Sequence, residues 1–369
     1  MQVNKNIFKN MDYGILICTI LLLTVGLIGL YSATQSNQGT EFNKQIIWIC
    51  VSIPIMIILI FIDYETIAKL SPFLYGGVAV ALIVVLFMAE RNGASSWFKI
   101  GSVFIQPSEF AKIIVIFTLS YFISKVQLKG KDEISRPTRV LMALIIVGLP
   151  IFLIILQPDY GTAISFVIAT ILILFTSGIK KRYIIAGFLI VAILVPVMYM
   201  FVLPDHAKAR IDVFLNPNLD PRGSGYNIIQ SKLAIGSGEL LGMGVLKGNQ
   251  TQLGFLYPKT TDFIFAVIGE EMGFVVAASV IIAYVILITR IIYIAKTAKN
   301  SLGSSIAIGI CGIFLFHMIE NIGMTMGLLP ITGVPLPFVS YGGSSMLTNL
   351  SMIAILLNIS GRRRKTIFS

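Results

Sequence analysis

The chain has 369 residues, of which 56% are hydrophobic and only 12% charged, and its 28 Lys and Arg against 17 Asp and Glu leave a net charge of +11. An ordinary soluble domain carries about 25% charged residues, and no water-soluble core encloses this much Ile, Leu, Val and Phe, so a soluble protein is excluded and the chain belongs in a bilayer. Cys18, Cys50 and Cys311 all sit inside apolar runs, which argues against a disulfide framework or thiolate metal site and for small buried hydrophobes.

A lipid-spanning helix needs about 20 apolar residues. Runs of that kind predict ten helices, near 13–31, 45–62, 72–89, 109–125, 140–156, 161–179, 184–203, 263–289, 303–327 and 338–360. The expected fold class is therefore an all-α polytopic membrane protein, since membrane strands would alternate in segments of about ten residues. The first run reads as a retained span and not a cleaved signal peptide, because it is long and lacks a clear cleavage pattern.

Lys and Arg crowd alternate connections. Eighteen fall in one set, which includes Lys5, Lys9, Lys69, Lys125 to Arg139, Lys180 to Arg182, Arg290 to Lys299 and Arg362 to Lys365. The other set, leaving aside 204–261, has only Lys44, Arg91 and Lys99. Basic residues near span ends stay cytoplasmic, so both termini are expected inside. The net positive charge then reflects topology and contact with anionic lipid; no nucleic-acid motif is present.

The large departure from short connections is 204–261, expected on the outer face between spans seven and eight, within one membrane domain covering 1–369. Ile228, Ile229, Leu233, Ile235, Leu240 and Leu241 interleave there with glycines. That pattern predicts a segment folded back on the outer mouth, with a short helix near 226–235. A second outer segment, 90–108, carries Trp97, Phe98 and Phe104, suited to the membrane interface.

Ionisable side chains within spans cost roughly 2.5 to 3.5 kcal/mol each on insertion. Glu109 and Lys112, three apart on one helical face, read either as a mutually neutralising pair or as a substrate-facing lysine that meets a phosphate. Asp159 follows Gln157 and Pro158 where one span ends and the next begins; it reads as an N-cap or as a group beside a bound phosphate or metal-bound anion. Asp262 opens the eighth span, where a first-turn carboxylate is favoured by the helix dipole and kept ionised, as a base must be. Glu270 and Glu271 lie about 12 to 13 Å deeper and are expected to support the bundle interior. His317, Glu320 and Asn321 form a polar stripe suited to interhelical hydrogen bonds. The Pro- and Gly-rich loop from Pro330 to Ser345 is expected to line the same outer cavity.

At these segments the sequence resembles the shape, elongation, division and sporulation (SEDS) family of cell-wall polymerases. The likeness runs through Asp12-Tyr13-Gly14, Gly93-Ala94-Ser95-Ser96-Trp97-Phe98, Gln106-Pro107-Ser108-Glu109-Phe110-Ala111-Lys112, Gln157-Pro158-Asp159-Tyr160-Gly161-Thr162-Ala163, Gly223-Ser224-Gly225-Tyr226-Asn227, Thr261-Asp262-Phe263-Ile264-Phe265-Ala266 and Pro335-Leu336-Pro337-Phe338-Val339-Ser340-Tyr341-Gly342-Gly343-Ser344-Ser345. Each motif alone is weak; their order over nearly the whole chain is specific. The resemblance implies a ten-helix peptidoglycan glycosyltransferase that polymerises lipid II on the outer face of the cytoplasmic membrane. It also implies a class B penicillin-binding protein as transpeptidase partner, other elongation proteins beside it, and an essential aspartate at Asp262.

On that reading Asp262 is the general base, and Lys112, with Arg210 as a weaker candidate, receives the departing diphosphate. Glu109 orients Lys112, Asp159 shapes the cavity or holds a divalent cation such as Mg or Mn, and Thr261 and Ser344 complete the substrate-binding set. Transport of lipid II is the competing class, opposed by the absence of an inverted repeat and the crowding of Asp159, Asp262, Glu109 and Lys112 toward one face. A non-catalytic scaffold, which would tolerate loss of Asp262, and a division or sporulation paralogue are the remaining alternatives.

Overall fold

The computed structural model describes residues 6–35, 39–88, 96–101, 103–201, 205–216, 219–220 and 223–363. A short α1 (Asn6–Asn10) leads into α2 (Tyr13–Thr34), α3 (Thr40–Phe61) and α4 (Tyr64–Val85). An antiparallel hairpin of β1 (Phe98–Ile100) and β2 (Val103–Ile105), with Lys99 opposite Phe104, precedes α5 (Pro107–Gln127). Next come α6 (Pro137–Ile155), α7 (Tyr160–Thr176) and α8 (Lys181–Phe201). The long segment after α8 holds α9 (Asp205–Leu215), α10 (Ser224–Ser237) and α11 (Asn249–Gln252), so the helix expected near 226–235 is present. The chain continues as α12 (Ile264–Thr297), α13 (Ser301–Thr325) and α14 (Gly343–Gly361).

Each apolar run falls largely within one of these helices. Among the described residues seven, α2, α3, α4, α6, α12, α13 and α14, are long and apolar enough to cross a membrane. Helix α7 is shorter, at 17 residues, and α5 carries Glu109, Lys112 and Lys125.

Side-chain caps decide where helices begin. Asp12 accepts the Gly14 N–H at 3.0 Å, Asp63 the Glu65 N–H at 2.9 Å and Asn300 the Gly303 N–H at 3.0 Å, each satisfying a donor that the first turn leaves open. Asp63 starts α4 at Tyr64 rather than near 72, because Glu65 and Lys69 hide the first turns from an apolar-run reading. Helices α13 and α14 form the enclosed centre, with Ile306, Phe314, Met352 and Leu356 fully buried, whereas Ile53, Phe73 and Ile145 of α3, α4 and α6 point outward. Outward apolar side chains carry no penalty in lipid, so close packing of small residues holds such helices together. Gly312 lets α13 approach Ala169 of α7 to backbone contact.

Helix α12 is broken at Gly273 (φ 77°, ψ −178°), a conformation open to glycine. The segment after α10 fills the break. Met243 and Gly244 N–H groups donate to Glu270 and Glu271 carbonyls at 2.9 and 3.0 Å, and Phe274 and Val275 N–H groups donate to Glu239 and Leu240 carbonyls at 2.9 and 3.2 Å. Backbone groups freed by the break are thus paired, the condition under which irregular backbone survives within a bundle.

Candidate active site

The site is assembled from the starts of α5, α7 and α12, one face of α13, and the connection from α13 to α14. The sequence reading expects Asp262 in the first turn of its helix. Helix α12 instead begins after Phe263, with no acidic residue in its first turn; Asp262 lies in the turn just before it. That turn is pinned by neighbours. Asn321 Nδ2 donates to Asp262 O at 3.0 Å, Ser340 Oγ to Thr261 O at 2.6 Å, and the Tyr341 N–H to Thr260 O at 2.9 Å. The Asp262 side chain is half-buried. Its Oδ2 stands 3.7 Å from where a Cβ on Gly333 would be.

The same Asn321 amide donates to Val334 O at 2.9 Å, fastening the segment Thr332–Pro335 beside Asp262. Helix α7 abuts that segment: a Cβ on Gly161 would overlap the Val334 side chain. Asp159 caps α7 by accepting the Thr162 N–H at 3.2 Å and also accepts Gln106 Nε2 at 2.9 Å. Asp159 and Asp262 therefore flank one stretch of loop. Loss of water around Asp159 pushes its pKa above the ordinary carboxylate range, opposed by the hydrogen bonds from Thr162 and by the Lys112 charge.

Glu109 and Lys112 meet as their spacing implies, Nζ to Oε1 at 2.8 Å, but both are sealed, at 2% and 0% exposure. Thr348 Oγ1 donates to Glu109 Oε2 at 2.9 Å, and Lys112 Nζ lies 3.3 Å from His317 Nε2. Direct phosphate contact by Lys112 is not what this geometry provides, because its ammonium faces protein partners; of the two sequence readings, it matches the neutralising pair. Ser344 is likewise a staple in this structure and not a cavity-facing group: it is buried, and its Oγ accepts the Gln106 N–H at 3.1 Å. Thr261 contributes its carbonyl to Ser340, as above. Arg210 lies on α9, and its side chain falls outside the described residues.

Among the described residues no three or more His, Cys, Asp or Glu come together to hold a metal ion. Asp159 already accepts two hydrogen bonds, one at each oxygen. Mg keeps several waters and binds through one or two carboxylates and substrate phosphates, so among the described residues Asp159 would supply one carboxylate and not a protein cage.

Sequence reasoning missed four partners: Gln106 as the neighbour of Asp159, Thr348 as that of Glu109, His317 as that of Lys112, and Asn321 as the clamp on the Asp262 turn. For the last two the signal was present, a His, a Glu and an Asn at one helical spacing inside an apolar run.

These features define a polytopic helical membrane protein whose polar side chains converge on an aspartate-bearing turn. A model of the FtsW/RodA/SpoVE family, described as cell cycle protein, matches residues 13–365, and the chain belongs to this family, the SEDS proteins. It is 36% identical to the peptidoglycan glycosyltransferase MrdB of Escherichia coli K12, over 98% of this chain and 97% of that protein. It is also 36% identical to stage V sporulation protein E of Bacillus subtilis 168, over 95% and 96%. Among solved structures it resembles a chain of a peptidoglycan synthase complex that coordinates polymerization and crosslinking, with TM-score 0.81, 25% identity and coverage of 95% of this chain and 97% of that one. The rod shape determining protein RodA of Thermus thermophilus shares the fold, with TM-score 0.72, 23% identity and coverage of 96% and 98%. The chain is a multi-pass inner-membrane protein.

Proposed function

We propose that this protein is a peptidoglycan glycosyltransferase that polymerises lipid II into glycan strands at the outer face of the cytoplasmic membrane during cell elongation. The observation that carries the reading is the half-buried Asp262 carboxylate on a turn clamped by Asn321 and Ser340, in a chain similar along nearly its whole length to proteins named for that activity. The 4-hydroxyl of one sugar attacks the anomeric carbon of another. Its proton passes to Asp262 as the new C–O bond forms, and the bond from the anomeric carbon to the diphosphate oxygen breaks with inversion. One base suffices, because diphosphate leaves as a stable anion, whereas glycoside hydrolases need a second carboxyl group to protonate a poor leaving group.

The leaving diphosphate needs positive charge. With Lys112 sealed against Glu109, that charge is assigned to Arg210 in the 204–261 loop, while Asp159 and the Thr261 turn shape the cavity. No step runs through a divalent cation. The ten apolar runs are taken as ten spans in one domain, with both termini cytoplasmic and 204–261 extracytoplasmic; the asymmetry of basic residues supports this arrangement. A class B penicillin-binding protein is the proposed transpeptidase partner, alongside other elongation proteins, supported by the likeness to a chain of a synthase complex.

Purified Asp262→Ala protein, inserted and bound to its transpeptidase, is expected to lose glycan synthesis from lipid II by at least the roughly 100- to 10,000-fold attributable to a general base. Normal polymer from that variant removes the assignment. The equal 36% identity to the sporulation relative favours a second assignment of the same chemistry, to sporulation. Rescue of rod shape in cells lacking their elongation polymerase separates the two roles.

A further inference from the structure

His317 is buried in α13, and the reaction described above gives it no task. Its two ring nitrogens meet different partners. Nδ1 lies 3.0 Å from Pro335 O, and Nε2 lies 3.3 Å from Lys112 Nζ. A carbonyl only accepts and an ammonium only donates, so both contacts are hydrogen bonds together only when the proton sits on Nδ1 and Nε2 keeps its lone pair. The ammonium is in turn held by Glu109, and Glu109 by Thr348.

The same face of α13 grips the rest of the segment. Glu320 accepts Thr332 Oγ1 at 2.6 Å, and Asn321 donates to both Val334 O and Asp262 O. Three side chains within about one turn of α13 therefore fasten residues 332, 334 and 335, and through Asn321 the backbone of Asp262 as well.

We propose that His317 is a positioning residue for Asp262, and that the Glu109–Lys112 pair sets its tautomer: with the ammonium at Nε2, the ring proton stays on Nδ1 and donates to Pro335. Without Lys112 only the Pro335 carbonyl holds the proton on Nδ1, and the share of rings that carry it on Nε2 rises. Such a ring turns a lone pair toward the Pro335 carbonyl, and α13 loses its hold on the loop beside Asp262. This gives a buried ion pair, out of reach of substrate, a definite task. The catalytic consequence rests on the glycosyltransferase reading; the tautomer does not.

The chain has two histidines, His206 and His317, so His206→Gln leaves one imidazole to observe. Nitrogen NMR of full-length, 15N-histidine-labelled His206→Gln protein in lipid bilayers is expected to show His317 neutral with its proton on Nδ1. Glu109→Gln/Lys112→Met, which removes both charges together and leaves only the Pro335 carbonyl to hold the proton, is expected to move part of the proton density to Nε2. In lipid II polymerisation His317→Asn, whose amide nitrogen stands near the Nδ1 position, is expected to lose about threefold in kcat. His317→Gln, whose amide reaches toward Nε2 instead, loses about 10- to 100-fold in kcat with little change in KM. A wild-type proton on Nε2, a doubly protonated ring, a tautomer indifferent to the charge removal, or a Gln variant as active as the Asn variant overturns the proposal. If wild-type protein makes no glycan, the glycosyltransferase reading falls while the NMR result still decides the tautomer.

Discussion

Asp159 accepts hydrogen bonds from Thr162 and Gln106 at a place where water is largely removed, and burial outweighs those bonds in setting its pKa. A carboxyl group whose folded pKa is raised binds its proton more tightly in the folded state than in the unfolded one. Its contribution to stability is full below the ordinary aspartate value of 3.8 and is lost as pH rises through the raised value. Asp159→Asn keeps an N-cap acceptor without the charge, so the stability of wild type relative to this variant is expected to fall between pH 4 and pH 8. Asp159→Ala, which loses the cap, should cost about 1 kcal/mol in addition. Melting curves of the three proteins at both pH values check this; a wild type that gains on the Asn variant as pH rises contradicts it. Asp159, Asp262, Glu109 and Lys112 were all legible in the sequence, because an ionisable group inside an apolar run has few explanations. Their partners were not. Lys112 and His317 are 205 residues apart and Glu109 and Thr348 are 239 apart, and contacts of that range depend on how each helix is rotated in the bundle, which apolar runs do not specify. Hence the phosphate role read for Lys112, which rested on its position near a helix start and took no account of what would surround it.

At the scale of elements, apolar runs located the helices, and the departures came where polar backbone chemistry overrides hydropathy. The hairpin Phe98–Ile105 is too short to register as a period. The break in α12 is silent in the sequence because nothing sets Gly273 apart from Gly269, four residues earlier in the same helix and not broken, and the segment that mends the break comes from before the helix. That segment is also held by side chains: Glu270 accepts the Gln250 and Thr251 N–H groups at 2.7 and 3.0 Å, and Glu271 accepts those of Leu246 and Gly248 at 3.2 and 3.3 Å. The two glutamates are buried, but what they hold is the long loop, which they fasten to the half-helix that follows Asp262, a partner their depth did not indicate. Gly273→Ala requires a residue with a side chain to adopt φ 77° and places its Cβ onto the Gly242 and Leu241 backbone. It is expected to cost about 1 to 3 kcal/mol in backbone strain alone. Amide exchange over 239–252 should quicken, and glycan synthesis should fall although Asp262 is untouched. Unchanged exchange in that segment would show that the helix break and the loop are independent.

Across the whole molecule the arrangement depends on α5, α7 and α8 crossing the bilayer together with the seven helices that are long and apolar enough by themselves. Each has a physical reason to cross. Helix α5 has 21 residues, about 31 Å at 1.5 Å per residue, and its Glu109–Lys112 pair enters the bundle as a neutral unit. Helix α7, with 17 residues, reaches about 26 Å, slightly short of a hydrocarbon core of about 30 Å, a mismatch that local thinning accommodates. On the ten-span reading the basic run Lys180, Lys181 and Arg182 at the start of α8 would hold the turn between α7 and α8 on the cytoplasmic side. Single-cysteine variants at exposed positions, in a background with Cys18, Cys50 and Cys311 replaced by alanine, report each crossing. With ten spans, Lys129→Cys and Lys180→Cys react with an impermeant maleimide only in inside-out vesicles, and Val245→Cys reacts only in intact cells with the outer face accessible. If α5, α7 and α8 stayed out of the bilayer, the same count from a cytoplasmic N-terminus would put position 129 outside and positions 180 and 245 inside. The labelling pattern therefore decides whether the segment that ends in Asp262 faces the side where a lipid-linked sugar precursor is polymerised.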